Sequence, residues 1–346
     1  SFADALGFRV AGDAVGMRST FADFTVGWKP RAYLADERRS THPVAPLPED
    51  VPDVDVAGGN FDALSYAKGN AVLRQLVTWL GDEEFFAGVN AYLTQHRFGN
   101  ATLDDFVAAL DGTTDRDVQA WAALWLRTTG FDTLHAERVE EGVLLRRDGS
   151  RPHRVRVTSY DASLREVGSE LVDLGEAPVT WPAAAAVLVN ARGETYARLR
   201  PDPESWDLLT QRLSDLPDPA VRGVVWATAF DLVHTGQLPA AAFLTLLRRH
   251  LPAESHASTV VEVLDWVRAT LLARWVTAEA SPDAVRTVAA TCSAALDVPL
   301  ERSLAVSWTR SLALSTDDAG LLESWLAAGA TSAGAPVDPT LRWLAL

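Results

Sequence analysis

The side chains that could do chemistry in this chain are few and mostly stand apart along the sequence. None of the seven histidines is followed by Glu, so the His-Glu-x-x-His spacing that places two zinc ligands on one helical face is absent. His250 and His256 are separated by a proline and share no helical face, which makes them an unconvincing metal pair. The most informative stretch is residues 60–80, an apolar helical pattern that also carries Tyr66 and Lys68.

Three other kinds of site are disfavoured by their surroundings. A Pro-rich loop carries an acidic cluster made of Glu49, Asp50, Asp53 and Asp55. The cluster lacks the spacing and the glycine of a calcium loop, so we interpret it as a solvated loop. Cys292 stands among small residues and is expected to be a buried filler. No serine has the glycine pattern of a nucleophile elbow.

The elements that must position these groups change type twice along the chain. Residues 1–133 follow a helical period, interrupted by a Pro- and Asp-rich loop at 40–59, and Thr102 followed by Asp105 predicts a capping box. Residues 134–200 form short segments bounded by Gly, Asp, Pro or Asn, which predicts a small β-sandwich of about six strands. Residues 201–346 return to helices with short connections. The predicted fold class is therefore multidomain and mainly α, ending in an irregular, HEAT-like helical array.

Composition limits the partners and the compartment. The net charge of −15 would repel a phosphate backbone, so nucleic acid is not an expected partner. The apolar runs fall short of the roughly 20 residues that a membrane helix needs, so no membrane partner is expected. A single cysteine excludes an internal disulfide and fits a reducing compartment, which favours the cytoplasm.

Residues 60–80 resemble the tyrosine helix of the aminopeptidase N family of zinc aminopeptidases. In that family a Tyr-x-Lys-Gly motif is followed by an apolar helix and a Gly-Asp/Glu-Glu-x-Phe turn, and the matching positions here are Tyr66, Lys68, Gly69, Gly81, Glu83 and Phe85. Supporting matches in the same order are the Ser-Thr-His-Pro at 40–43, the segment 99–105 and the segment 121–130. The order and spacing across residues 1–134 carry the resemblance.

The resemblance implies that residues 1–133 are the helical end of a thermolysin-like catalytic domain. The family binds zinc through His-Glu-x-x-His and a further Glu, and grips the substrate amine with a Gly-x-Met-Glu-Asn loop. Both signatures are missing, since the only methionine is Met17, and Ser1-Phe2-Ala3 is expected to begin just after the third zinc ligand. Zinc is therefore expected in the intact enzyme, with none bound by this chain, which is predicted to be inactive alone.

Tyr66 is the one catalytic residue that the resemblance assigns to this chain. A phenol is protonated at neutral pH and can donate a hydrogen bond to the oxyanion formed when water attacks a peptide carbonyl. The alternative is an ordinary helix residue with its ring against the core. Lys68 is expected to be a solvated lysine on the helix face rather than a local ion pair. Ala67 stands where many relatives have Glu, which removes any carboxylate role there.

The leading hypothesis is a part of a zinc aminopeptidase that hydrolyses N-terminal residues from peptides. Its expected partners are peptide substrates and the missing N-terminal catalytic part. The alternative is a non-catalytic helical-array module that binds a peptide or a partner protein. A third possibility is that the missing half is supplied in trans.

Overall fold

The computed structural model describes residues 1–16, 20–331 and 334–346, and Met17 lies outside them. The chain divides into two compact units, Ser1–Leu209 and Thr210–Leu346. The architecture is mainly α, as the sequence predicts, with two small sheets in the first unit. No helix in the part of the chain that the structure describes combines the length and the apolar character needed to cross a bilayer.

The regular elements that the structure describes within residues 1–126 are all helices. They are α1 (Phe2–Val15), α2 (Thr20–Asp23), α3 (Lys29–Asp36), α4 (Val54–Gly59), α5 (Gly69–Leu80), α6 (Asp82–Gln95), α7 (Leu103–Asp111) and α8 (Val118–Leu126). Two π-helical turns precede α3 and α5, at Phe24–Trp28 and Leu64–Lys68. The predicted loop at 40–59 is therefore not wholly irregular, because it contains α4 and a short 3-10 turn at Pro48–Asp50.

Local capping and aromatic packing explain the helices around α5. The predicted capping box is confirmed: Thr102 N donates to Asp105 Oδ2 at 2.8 Å, and Asp105 N donates to Thr102 Oγ1 at 3.2 Å. Beneath α5 the ring of Trp121 stacks between those of Trp79 and Trp125, with centroid separations of 6.1 and 5.7 Å. This buried aromatic column holds α5 against α8 and fixes the helix that follows the Tyr66 turn.

Two small sheets follow α8. Their strands are β1 (Asp132–Val139), β2 (Gly142–Asp148), β3 (His153–Tyr160), β4 (Glu166–Leu174), β5 (Val179–Trp181), β6 (Ala186–Val189) and β7 (Ala197–Arg200). One sheet has the order β5-β2-β1-β7 and the other β4-β3-β6, and only the β1–β7 pair among these described strands is parallel. The sequence missed β7, because four residues of Ala-Arg-Leu-Arg give too short an alternation to detect.

Helices occupy the rest of the chain. They are α9 (Pro203–Gln211), α10 (Pro219–His234), α11 (Ala240–His250), α12 (Ala257–Trp266), α13 (Ser281–Leu296), α14 (Arg302–Ala313), α15 (Ala319–Ala328) and α16 (Pro339–Leu344). The sequence predicted one helix over residues 258–277. The structure instead ends α12 at Trp266 and continues as a π-helical segment, Val267–Trp275.

Candidate functional site

Tyr66 lies on the π-helical turn Leu64–Lys68 and points toward the surface. Its exposed fraction is 40%, whereas Leu64, Ala67 and Lys68 on the same turn are buried. The ring of Phe61, itself 72% exposed, lies 6.3 Å away between centroids. π-Helical turns are rare and often occur at functional sites. An accessible phenol is what the predicted role requires, although the role itself stays a prediction.

Backbone contacts fix the beginning of this turn. Asp62 Oδ1 accepts hydrogen bonds from Leu64 N at 2.8 Å and from Ser65 N at 3.2 Å, as an N-cap carboxylate does. The N–H of Tyr66 donates to Asp62 O at 3.1 Å, and the hydroxyl of Ser65 donates to Asn60 O. The exposed ring is thus carried on an anchored backbone.

Gly69, which ends the Tyr-x-Lys-Gly motif, has no room for a side chain because Ser1 packs closely against it. A Cβ built on Gly69 would lie 2.1 Å from Ser1 Oγ and 2.6 Å from Ser1 Cβ. The Ser1 hydroxyl also donates to Ser65 O, so α1 is seated directly on the turn. Any side chain at position 69 would push the start of α1 away from the turn.

The prediction for Lys68 is wrong, because its side chain is fully buried. Its Nζ lies 2.7 Å from Asp36 Oδ2 and donates to Gly130 O at 3.0 Å and to Thr128 O at 3.3 Å. Burial lowers the pKa of Lys68 from its usual value, and contact with Asp36 opposes that effect. No local pattern indicates this pairing, since the carboxylate lies 32 positions away on α3.

Asp36 is a buried neighbour of the turn that the sequence analysis did not single out. Besides Lys68, its carboxylate accepts hydrogen bonds from Thr41 Oγ1 at 2.6 Å, from Gly130 N at 2.9 Å and from Tyr196 OH at 3.4 Å. A buried carboxylate is tolerated when it is paired and its lone pairs are occupied, and four donors meet that condition here. One of these donors, Thr41, belongs to the Ser-Thr-His-Pro segment already noted, but its residue type alone does not indicate which carboxylate it contacts.

The remaining sequence candidates are each accounted for by their local surroundings. Cys292 is buried, and burial raises the pKa of its thiol to about 12, which fits the predicted filler and not a nucleophile. His250 Nδ1 faces Ser214 Oγ at 3.0 Å, and burial lowers its pKa. Within the acidic loop, Asp53 caps α4 by accepting from Val56 N at 2.9 Å.

The zinc that the resemblance implies finds no candidate ligand set here. Across residues 1–16, 20–331 and 334–346, no group of three or more His, Cys, Asp or Glu could hold a metal ion. The two carboxylates at the turn already have partners: Asp62 accepts from Leu64 N and Ser65 N, and Asp36 is paired with Lys68. The residues of this chain therefore do not fit the ion.

Two family models match this sequence. Residues 1–125 match the Peptidase family M1 domain, which includes the whole Tyr66 turn and its anchors up to α8. Residues 186–346 match the ERAP1-like C-terminal domain.

Individual relatives agree with those matches. The chain is 31% identical to aminopeptidase N of Streptomyces lividans over 94% of its own length and 41% of the relative's. It is 27% identical to tricorn protease-interacting factor F2 of Thermoplasma acidophilum, over 62% of this chain and 27% of that protein. It is 35% identical to the alanine/arginine aminopeptidase of Saccharomyces cerevisiae, over 33% of this chain and 13% of that protein. The chain thus spans well under half the length of these relatives.

Proposed function

We propose that the whole protein hydrolyses N-terminal residues from peptides. The premise is that this chain belongs to the M1 peptidase family and corresponds to the C-terminal portion of an aminopeptidase of the aminopeptidase N type. The zinc and the groups that activate the attacking water would be held by residues outside these 346. This chain would supply the far side of the reacting carbonyl and the walls that enclose the peptide.

Tyr66 would act on the oxyanion of the tetrahedral intermediate. When water adds to the peptide carbonyl, negative charge develops on the carbonyl oxygen, and a fixed phenol O–H pointing at that oxygen stabilises the charge. The observation that carries the proposal is an exposed tyrosine on an otherwise buried and rigidly anchored π-helical turn. A ring that served only the core would be buried like Leu64 and Ala67.

Tyr66→Phe in the full-length protein tests this role. We expect kcat on an aminoacyl anilide to fall by about 10²- to 10³-fold, because one oxyanion donor is lost, while KM changes little. Tyr92→Phe is the matched control, since it removes a phenol hydroxyl from α6 among aromatic neighbours. Equal activity of Tyr66→Phe and Tyr92→Phe would remove Tyr66 from the mechanism.

Contacts within each unit support a proposal for the domain organisation. The two sheets meet through β1 with β6 and β2 with β4, as the layers of a sandwich over residues 134–200 would. In the second unit α11 packs on α13, α12 on α14 and α13 on α14, the pattern of stacked helical pairs. We propose on this basis a small β-sandwich followed by a HEAT-like array over 201–346.

A groove in the helical array favours the second candidate function, the binding of a peptide. The groove has a volume of about 390 Å³ and lies between α11 and α13, where its lining includes Ala241, Leu244, Arg248, Trp275 and Asp283. Apolar walls with one charge of each sign suit an extended peptide.

Fluorescence anisotropy of a labelled peptide mixed with this 346-residue chain tests the groove. Ala241→Phe fills the groove and should abolish saturable binding, whereas Ala328→Phe places the same ring on the exposed side of α15 and should not. Absence of saturable binding to the unmodified chain would eliminate this second function.

A further inference from the structure

Thr41 and His42 are adjacent in the sequence, and each contacts a carboxylate that holds one end of the π-helical turn Leu64–Lys68. Thr41 Oγ1 donates to Asp36 Oδ1 at 2.6 Å, and Asp36 Oδ2 holds Lys68, the last residue of the turn. The next residue, His42, faces Asp62, whose carboxylate starts the turn. One dipeptide between α3 and α4 therefore contacts the anchors at the beginning and at the end of a five-residue segment.

The ion pair between Lys68 and Asp36, at the end of the turn, lies on the buried side of the turn. Lys68 lies two residues after Tyr66, and side chains two apart on a helical backbone do not face each other. The ammonium group is buried while the phenol is exposed, so the Asp36–Lys68 pair holds the backbone beneath the ring without blocking the ring. Thr41 helps to keep the Asp36 carboxylate aligned, because its hydroxyl and Gly130 N both donate to Oδ1, the oxygen that Lys68 does not contact.

The contact at the beginning of the turn depends on the orientation of His42. Its Nδ1 donates to Pro43 O at 2.8 Å, which leaves Nε2 3.3 Å from Asp62 Oδ1. The Nε2 atom is buried and makes no hydrogen bond, so the edge of the ring lies in van der Waals contact with the carboxylate and limits its movement in that direction. The same Asp62 oxygen accepts from Leu64 N and Ser65 N, so His42 confines a carboxylate that both N–H groups require.

The ring itself needs such support. Tyr66 is exposed and its neighbour Phe61 is more exposed still, so the direction of the phenol is set by the backbone that carries it. A donor to an oxyanion has to be in place before the charge forms, and a displacement of about 1 Å can cost a large part of its effect.

We infer that Thr41 and His42 are positioning residues for Tyr66, which hold the two ends of its turn through Asp36–Lys68 and through Asp62. The catalytic consequence rests on the proposed function, whereas the structural consequence does not. Neither side chain touches substrate in this account. Both act through the backbone of the turn.

Fluorine NMR of this chain, with 3-fluorotyrosine incorporated, tests the structural consequence. The line of Tyr66 is assigned by its loss in Tyr66→Phe. Thr41→Val removes the hydroxyl at nearly constant shape and His42→Gln removes the ring, and both should shift or broaden the Tyr66 line. Thr41→Ser keeps the hydroxyl, and Lys29→Met removes a different buried lysine, so both should leave the line as it is. An unchanged line in Thr41→Val and His42→Gln, or an equal change in Lys29→Met, overturns the inference.

Steady-state kinetics of the full-length protein tests the catalytic consequence. Thr41→Val and His42→Gln should lower kcat on the order of tenfold with KM within about twofold, because orientation matters most in the transition state. Thr41→Ser should restore kcat. A rise in KM with unchanged kcat overturns the positioning role. If Tyr66→Phe itself leaves kcat unchanged, the proposed function fails, and the fluorine spectra still decide whether the dipeptide orients the ring.

Discussion

The chain has two lysines, and the structure buries both in different ways. Lys29, at the start of α3, donates to two backbone carbonyls, Gly193 O and Thr195 O, each at 2.8 Å. Lys68 also donates to two carbonyls but in addition contacts the carboxylate of Asp36. Burial pushes the pKa of Lys29 well below its usual value, and Glu194 opposes this only through space. Burial also lowers the pKa of Lys68, against a carboxylate in direct contact.

The difference shows what each region uses its lysine for. Lys29 joins α3 to the loop before β7 through neutral carbonyl oxygens. Because no carboxylate in the described part of the chain contacts it, burying its positive charge lowers the stability of the fold. Lys68 is half of an ion pair whose other half has three further donors, so removing it leaves a charge behind. The charged arrangement is the one that lies beneath Tyr66.

Lys68→Met should have the largest effect on stability. It leaves the buried Asp36 carboxylate without its cation, which costs about 3–5 kcal/mol in the free energy of unfolding. Urea denaturation followed by tryptophan fluorescence measures it. The double variant Asp36→Asn with Lys68→Met should lose less than Lys68→Met alone, since no buried charge remains. A double variant that is less stable than both single variants would contradict the ion-pair account.

Lys29→Met should cost less, about 1–3 kcal/mol, because it leaves two carbonyl oxygens without a donor but no unpaired charge. The same urea titration gives the value. If Lys29→Met is as damaging as Lys68→Met, the two sites do not differ in the way the contacts indicate.

The pH dependence of stability separates the two sites further. Because the pKa of Lys29 is lowered on folding, the unfolded chain binds more protons between that lowered pKa and 10.5, and stability rises with pH across this window. The slope approaches about 1.4 kcal/mol per pH unit for one full proton. Lys29→Met should flatten the rise below pH 10.5 more than Lys68→Met does, since contact with Asp36 opposes the lowering of the Lys68 pKa. Equal slopes in the unmodified chain and Lys29→Met would show that Lys29 keeps an ordinary pKa.

Tyr66→Phe should have the smallest effect on stability, within about 0.5 kcal/mol, because an exposed hydroxyl contributes little to folding. A thermal melt beside the urea titration is sufficient. A loss comparable to that of Lys29→Met would mean that the hydroxyl serves the fold rather than the reaction.

Short-range patterns in the sequence predicted most of the helices. The Thr102 capping box and the bounds of α10 follow from local capping signals, so they could be read directly from the chain. Tyr66 was found through its motif; the structure shows its ring exposed, and its catalytic role stays a prediction. The prediction of a solvated Lys68 was wrong because burial there depends on partners distant in sequence. The burial of Lys68 is decided by Asp36 and by the carbonyls of Thr128 and Gly130. No helical or strand period carries such information.

A double-mutant cycle between Thr41 and Tyr66 tests the central claim most directly. In the full-length protein, kcat/KM is measured for Thr41→Val, Tyr66→Phe and the combination. If Thr41 acts only by orienting the phenol, Thr41→Val should lower kcat/KM about tenfold alone and have no further effect once the hydroxyl is gone. Losses that multiply in the combined variant would contradict the account, because Thr41 would then act without Tyr66.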